Sequence, residues 1–161
     1  PSPAVTASPL VITPLTNGTA YAVQVRAVNT VGTGPAATAA SATPRTVPDA
    51  PTALVATPSA GQISVAFTPP ASDGGAPITN YEWSIDGTNW NTPDPAVTAS
   101  PIVATGLANG TPATVRVRAV NVAGHGPVAS AAPATPGGVA TAPAIATVTA
   151  GDGQLVVAFT E

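Results

Sequence analysis

The sequence predicts an all-β protein built from small sandwich domains in tandem, and three observations support this prediction. Short alternating runs of Val, Ile and Thr recur along the chain, broken by Pro and Gly, and no segment has helical periodicity. Residues 1–69 align without a gap with residues 93–161, and 39 of these 69 positions are identical. The offset of 92 residues is too long for a solenoid repeat and close to the roughly 100 residues of a seven-stranded sandwich.

The repetition also defines the predicted domain boundaries. Pro3 to Pro9 recurs letter for letter as Pro95 to Pro101, and Arg26 to Asn29 recurs as Arg118 to Asn121. Because position 1 is not Met, we expect the chain to begin inside a longer polypeptide. The predicted organisation is the C-terminal part of a first repeat in residues 1–44, a linker in 45–50, a complete repeat in 51–136, a linker in 137–142 and the N-terminal part of a third repeat in 143–161.

Within the predicted complete repeat, three segments alternate as half-buried strands do. The run from Gln62 to Thr68 and the run from Tyr81 to Ile85 each place apolar side chains on one face, and Arg116 and Arg118 alternate with apolar residues in the third. The two arginines are therefore expected on the solvent face of their strand. The predicted buried side chains are Ile63, Val65 and Phe67 in the first run, Tyr81, Trp83 and Ile85 in the second, and Val115, Val117 and Ala119 in the third.

A hairpin is predicted after the second of these strands. Asp86-Gly87 is typical of a two-residue turn between antiparallel strands. Such a turn pairs Ile85 with Thr88 and places Trp83 directly opposite Trp90.

Composition excludes several classes of function. Seven acidic residues against four arginines give a net charge of −3, which lacks the positive charge that binding to nucleic-acid phosphates requires. The absence of cysteine excludes disulfides and Cys/His zinc sites. The apolar runs are too short for insertion into a membrane. No catalytic Ser, His and Asp pattern and no phosphate-binding glycine loop is recognisable, so we expect neither an enzyme nor a cofactor.

An ordered set of motifs runs along the chain: a proline-led first strand, an aromatic on the second, a Tyr on the third, a Leu-x5-Tyr corner and a Gly-x-Gly-Pro loop. The residues that form it are Pro48 to Pro51, Phe67, Tyr81, Leu15 with Tyr21, Asn29 with Gly32, Gly34 and Pro35, and Asn121 with Gly124, Gly126 and Pro127. This ordered set resembles the pattern of the fibronectin type III family, in its bacterial form. The resemblance covers essentially the whole chain, and it implies immunoglobulin-like β-sandwich repeats in tandem.

Two departures from the family pattern matter. The corner tyrosine is replaced by Ala113 in the complete repeat, so its hydroxyl is absent there. Loss of a large buried aromatic typically costs about 3–5 kcal/mol, so we expect Ala113→Tyr to raise the melting temperature unless neighbours have filled the gap. The last loop contains no Arg-Gly-Asp, so the integrin binding of some family members is not implied.

Three side chains are candidates for contact with a ligand or partner. Trp83 and Trp90 could stack on sugars or on a protein if they were exposed, but a cross-strand aromatic pair that stabilises the sheet is the favoured interpretation. His125 is the only histidine and lies in a glycine-rich loop without a second ligand for a metal ion. The equivalent position in the first repeat is Thr33, so the loop does not require an imidazole.

Turn residues supply the remaining candidates. Asn17 and Asn109 each begin an Asn-Gly-Thr triplet, which matches the glycosylation sequon and also suits a tight turn. Four aspartates also fall in turn contexts, where they usually bond their own backbone, although calcium binding at a domain junction is an alternative. These aspartates are Asp73, Asp86, Asp94 and Asp152.

The sequence therefore favours a non-catalytic spacer, stalk or filament segment of a secreted or cell-surface bacterial protein. The expected partners are neighbouring repeats of the same protein and other copies in a filament, with no nucleic acid and no membrane insertion. One alternative is an accessory module of a secreted polysaccharide hydrolase, and another is an adhesin domain that binds directly. Fold alone does not decide between these functions.

Overall fold

The computed structural model describes residues 6–138, 140 and 142–160, and within these residues every regular element is a β-strand. The predicted segments 1–44, 137–142 and 143–161 include residues 1–5, 139, 141 and 161, which lie outside the described residues. The strands are β1 (Gln24–Val25), β2 (Ala37–Thr38), β3 (Thr52–Ser59), β4 (Gln62–Thr68), β5 (Asn80–Ser84), β6 (Ile102–Thr105), β7 (Arg116–Asn121), β8 (Gly124–His125), β9 (Ala129–Ser130), β10 (Ala144–Gly151) and β11 (Gln154–Thr160).

Strands β3 to β9 form two facing sheets, which we call the central sandwich (residues 51–136). One sheet has the order β3-β4-β6, and the other has the order β5-β7-β8 with β9 also paired to β7. All pairs are antiparallel. This confirms the predicted all-β fold class.

The core lies between these two sheets, and alternation along the strands fills it. In β4 the side chains of Ile63, Val65 and Phe67 are buried, while Ser64 and Ala66 point away from the core. The predicted buried positions of the first and third runs are all confirmed. The core side chains are Ile63, Val65, Phe67, Tyr81, Trp83, Ile102, Ala104, Val115, Val117, Ala119 and Ala131.

The described segments on either side of the central sandwich are exposed except at Tyr21, Val23 and Pro44, which are half-buried. The N-terminal segment (residues 6–44) contains the two-stranded β1–β2 sheet and a bridge between Tyr21 and Ala42. The C-terminal hairpin (residues 144–160) consists of β10 and β11, and every described residue in it is exposed. No helix among the described residues is long and apolar enough to cross a membrane. The predicted domain boundaries themselves stay predictions.

Candidate functional site

The outer face of the β5-β7-β8 sheet gathers most of the polar side chains that the sequence singles out. Because side chains alternate along a strand, Tyr81 and Trp83 of β5 point into the core, and Glu82 between them points outward. In β7, Arg118 lies directly opposite Glu82 in the antiparallel register. Opposite charges at directly paired positions stabilise a sheet.

Glu82 is the centre of this polar cluster. The residue is only 5% exposed, and both of its carboxylate oxygens accept hydrogen bonds. Thr92 Oγ1 donates to Oε1 at 2.8 Å and Arg118 Nε donates to Oε2 at 2.8 Å, while Arg118 Nη2 forms an ion pair with the same Oε2 at 2.7 Å. His125 Nδ1, on β8, lies 3.2 Å from the same Oε2. The cluster therefore joins β5, β7, β8 and the segment after β5.

The electrostatics of the cluster favour an ionised Glu82. Burial raises the pKa of the Glu82 carboxyl, but the hydrogen bonds from Arg118 and Thr92 and the charges of Arg118 and His125 outweigh it. The pKa of Glu82 consequently lies below its ordinary value. Both oxygens of the Glu82 carboxylate are engaged by side chains of the same domain, so the ionised group ties neighbouring strands together.

The two tryptophans named as candidates for ligand contact lie on opposite faces of this sheet. Trp83 belongs to the core and is 8% exposed. Trp90 is half-buried on the outer face, where the Arg118 guanidinium carbon lies 4.0 Å from the centre of its ring. This is cation–π geometry. Of the three candidates for ligand contact, the structure thus brings Trp90 and His125 together around Glu82 and Arg118, and separates Trp83 from them.

The prediction that Trp83 lies opposite Trp90 was wrong. Trp83 instead exchanges two backbone hydrogen bonds with Asn91, at 3.1 and 2.8 Å. A shift of one residue in register moves a side chain to the other face of the sheet, which explains why the two indoles are separated. Ile85, which was predicted to share the buried face, lies in the loop and is 46% exposed.

The side chain of Asp86 is the physical reason for the different loop. Its Oδ1 accepts hydrogen bonds from the backbone N–H groups of Thr88 and Asn89, both at 2.8 Å, and from Ser84 Oγ at 2.9 Å. Asn89 Nδ2 donates to Oδ2 at 2.7 Å. These bonds, first among them the one from the Asn89 side chain, hold the pKa of Asp86 well below its ordinary value. An aspartate that organises its own turn in this way replaces the two-residue turn by a longer loop.

The predicted turn aspartates do not converge on a common point. Asp73 Oδ1 accepts the Gly75 N–H at 2.8 Å, so it organises its own loop as Asp86 does. Among the residues that the structure describes, no three His, Cys, Asp or Glu side chains are arranged to hold a metal ion.

Comparison with the models of known protein families identifies the family of the central sandwich. The family model of the fibronectin type III domain matches residues 49–135. The chain belongs to the fibronectin type III family. This confirms the family to which the sequence bears resemblance, whereas the bacterial form and the tandem arrangement stay predictions.

Two solved structures share the fibronectin type III fold of this chain. Domains A168–A170 from titin match with a TM-score of 0.50 and 24% identity, over 62% of this chain and 36% of the titin chain. Domains d3–d4 of the extracellular region of rat CD45 match with a TM-score of 0.53 and 15% identity, over 82% of this chain and 71% of that chain. The chain thus spans about a third of the titin structure.

Two turns of the chain lie where the resemblance predicts a corner, one in the N-terminal segment and one in the central sandwich. In the N-terminal segment, the Thr16 N–H donates to the Tyr21 hydroxyl at 3.0 Å, and this bond lowers the pKa of Tyr21. In the central sandwich, Ala113 takes the place of that tyrosine, yet it still bridges Ala134 as Tyr21 bridges Ala42. The backbone of the corner therefore forms without the aromatic ring.

The two predicted glycosylation sites lie in the corner turns of this pattern. Asn17 and Asn109 are both exposed, and each is followed by a glycine with positive φ, +80° at Gly18 and +77° at Gly110. The left-handed conformation thus falls on the glycine. Asn109 Oδ1 also accepts the Gly61 N–H at 2.8 Å, which ties its turn to the β3–β4 turn. Glycosylation at these two positions stays a prediction.

Proposed function

We propose that the central sandwich is a non-catalytic structural spacer within a tandem array of a secreted or cell-surface protein. The observation that supports this proposal most directly is the hydrogen bonding of residues 45–50, which we call the connecting segment. Its Thr46 N–H donates to Gly74 O at 2.9 Å, and its Asp49 N–H donates to Ser72 O at 2.9 Å. The connecting segment is thus bonded to the central sandwich along its length.

Buried side chains fix the connecting segment further. Asn121, which is 4% exposed, donates from Nδ2 to Thr46 O at 2.8 Å and to Asp73 O at 2.7 Å. The side chains of Pro48 and Pro51 are fully buried. A flexible linker exposes its backbone to water and lacks such bonds. A segment held in this way transmits orientation and force between the domains that it connects, which is what a spacer requires.

Two further points support a non-catalytic role. Fibronectin type III domains are generally non-catalytic modules. The outward carboxylate of β5, Glu82, has both oxygens engaged by side chains of its own domain. Fibronectin type III domains also occur in extracellular regions, as in CD45, and this agrees with the proposed location at the cell surface.

Hydrogen exchange measured by NMR tests the spacer proposal. We expect the amide protons of Thr46 and Asp49 to exchange as slowly as strand amides of the central sandwich, because each has an acceptor in that domain. The amide of exposed Val31 serves as a reference for faster exchange, because it donates to a side chain of its own loop, Asn29 Oδ1. Exchange at Thr46 and Asp49 as fast as in an unstructured peptide would overturn the proposal.

An accessory binding module is the second candidate, and the partly exposed Trp90 on the outer face of the sheet is the observation that favours it. Affinity electrophoresis through gels containing soluble polysaccharides distinguishes the two functions. A spacer migrates equally in all gels. If a polysaccharide gel slows the parent chain and Trp90→Ala removes this effect, the binding module replaces the spacer as the proposed function. Trp83 is left unchanged in this test, because it is buried and its loss would disturb the core.

A further inference from the structure

The corner turn of the N-terminal segment lies against a loop of the central sandwich. The turn comprises residues 16–19, and the loop, which we call the joint loop, comprises residues 72–75. A Cβ atom built on Gly75 would collide with the backbone nitrogen of Gly18 and would lie 2.7 Å from Asn17 C. A Cβ built on Gly18 would lie 3.1 Å from Gly75 Cα. The two backbones are therefore in direct contact.

The joint loop is shaped by its own side chains before any neighbour is considered. Asp73 Oδ1 accepts the Gly75 N–H at 2.8 Å, and Ser72 Oγ accepts the Gly74 N–H at 3.1 Å. Gly74 and Gly75 have φ values of +76° and +82°, which side-chain-bearing residues rarely adopt. A loop fixed by internal hydrogen bonds loses little conformational entropy when a second surface packs on it.

The corner turn is equally fixed. Gly18 has a φ of +80°, and its N–H donates to Pro44 O at 2.9 Å. Pro44 directly precedes the connecting segment, whose Thr46 N–H bonds to Gly74 O at 2.9 Å. Corner turn, connecting segment and joint loop thus converge within a few residues.

We infer that these three elements form a docking joint, in which the Asn-Gly corner turn of one domain packs backbone to backbone on the joint loop of the next. The inference deepens the proposed spacer function and rests on it. The partner that the joint loop selects is a glycine at the corner of the preceding domain, because a Cβ on Gly75 would push the two backbones apart and a Cβ on Gly18 would require the joint loop to shift by a few tenths of an ångström. The joint, together with the bonded connecting segment, fixes the angle between neighbouring domains.

The central sandwich carries the same corner turn at its other end. Gly110 has a φ of +77° and donates its N–H to Pro136 O at 2.8 Å, as Gly18 does to Pro44. A Cβ built on Gly110 meets no described atom within 4 Å. The joint model assigns this turn as the docking surface for the joint loop of a further domain. It also makes Gly110 a matched control for Gly18, with the same backbone but no contact.

Distance measurement between two spin labels tests the joint. The chain has no cysteine, so Val31→Cys and Val103→Cys, which are 94% and 39% exposed, place one label in the N-terminal segment and one in the central sandwich. The variants Gly18→Asn and Gly110→Asn are then compared in this background. Asn tolerates positive φ better than other residues with a side chain, so the backbone strain of the two variants is similar.

The expected result is a narrow distribution of label distances in the parent chain and in Gly110→Asn, and a shifted and broadened distribution in Gly18→Asn. A narrow distribution in all three proteins would overturn the joint and leave the stiff spacer intact. A broad distribution in all three would overturn the stiff spacer itself. An equal change in both glycine variants would show that turn strain, and not contact with Gly75, causes the effect, and would also overturn the joint.

Discussion

The β3–β4 hairpin and the C-terminal hairpin have nearly the same sequence and opposite environments. Gln62 to Thr68 and Gln154 to Thr160 differ at two positions, and each follows a glycine with positive φ, +68° at Gly61 and +65° at Gly153. Both hairpins even carry a register shift at the same place in their first strand. Yet the phenylalanine of β4 is 7% exposed, whereas that of β11 is 59% exposed.

The comparison distinguishes the properties that depend on the local sequence of a hairpin from those that depend on the structure around it. Pairing, turn and bulge depend on local sequence, so they form in both hairpins. Burial depends on an opposing sheet, which β5 and β7 supply to β4 and which no described residue supplies to β11. Most of the stability of a sandwich comes from burial between sheets, so equivalent substitutions in the two hairpins should have very different costs.

The largest expected difference lies between Phe67→Ala and Phe159→Ala. Phe67 packs on Tyr81 with ring centroids 4.5 Å apart, so its loss should cost about 3–5 kcal/mol of the free energy of unfolding. Phe159 is exposed and its loss should cost less than about 0.5 kcal/mol. Urea unfolding followed by tryptophan fluorescence measures both, because both tryptophans lie in the central sandwich. A cost at Phe159 as large as at Phe67 would contradict the comparison, since it would require a partner sheet for the C-terminal hairpin.

The second difference lies between Asn121→Ala and Asn29→Ala, at equivalent positions. Asn29 Oδ1 accepts the N–H groups of Val31 and Gly32, whereas Asn121 accepts the Ala123 N–H and also donates to two backbone oxygens from its buried side chain. Loss of these two partly buried hydrogen bonds costs about 1–3 kcal/mol in total. We expect a loss in this range for Asn121→Ala and no change in the unfolding of the central sandwich for Asn29→Ala. Equal effects of the two substitutions would contradict the role of Asn121 in holding the connecting segment.

Alternation of side chains explains how much of this fold the sequence could predict. The period of two placed Ile63, Val65 and Phe67 inside and Arg116 and Arg118 outside, because that period follows from the local geometry of a strand. The register between strands does not follow from it. The predicted two-residue turn is shorter than the observed loop, so the prediction placed Trp90 opposite Trp83 where the structure has Asn91. The hydrogen bonds of Asp86 set the length of this loop, and they depend on its three-dimensional path.

The polar cluster could not be predicted from the sequence for a similar reason. Glu82 is a single acidic residue in an apolar run, and its partner Arg118 is 36 positions away. Only the register between β5 and β7 brings the two side chains together. The outward position of Arg118 was predicted, so an outward carboxylate on a neighbouring strand was the one available signal.

The third prediction places the corner tyrosine of the N-terminal segment at the equivalent position of the central sandwich. In Ala113→Tyr, the new hydroxyl should accept the Ala108 N–H, as the Tyr21 hydroxyl accepts the Thr16 N–H. One such bond contributes about 1 kcal/mol, which for a domain of this size corresponds to a rise of about 4–8 °C in the melting temperature. Ala113→Phe is the control, because it adds the ring without the hydroxyl. No change in Ala113→Tyr would mean that the neighbours of Ala113 have repacked around the smaller side chain.

The smallest expected effect is the pH dependence that Glu82 adds to the central sandwich. Because the pKa of Glu82 is lowered in the folded protein, its contribution to stability is fully present above its unfolded value near 4.5. That contribution is lost as the pH falls through the folded value, where Arg118 and His125 lose their charged partner. The free energy of unfolding should therefore decrease less on acidification in Glu82→Gln than in the parent chain.

Asp86 also has a lowered pKa and adds its own acid dependence, so Asp86→Asn in both backgrounds isolates the part that belongs to Glu82. If the free energy of unfolding of the parent chain and of Glu82→Gln depends equally on pH, the charge of Glu82 does not contribute to the stability of the central sandwich.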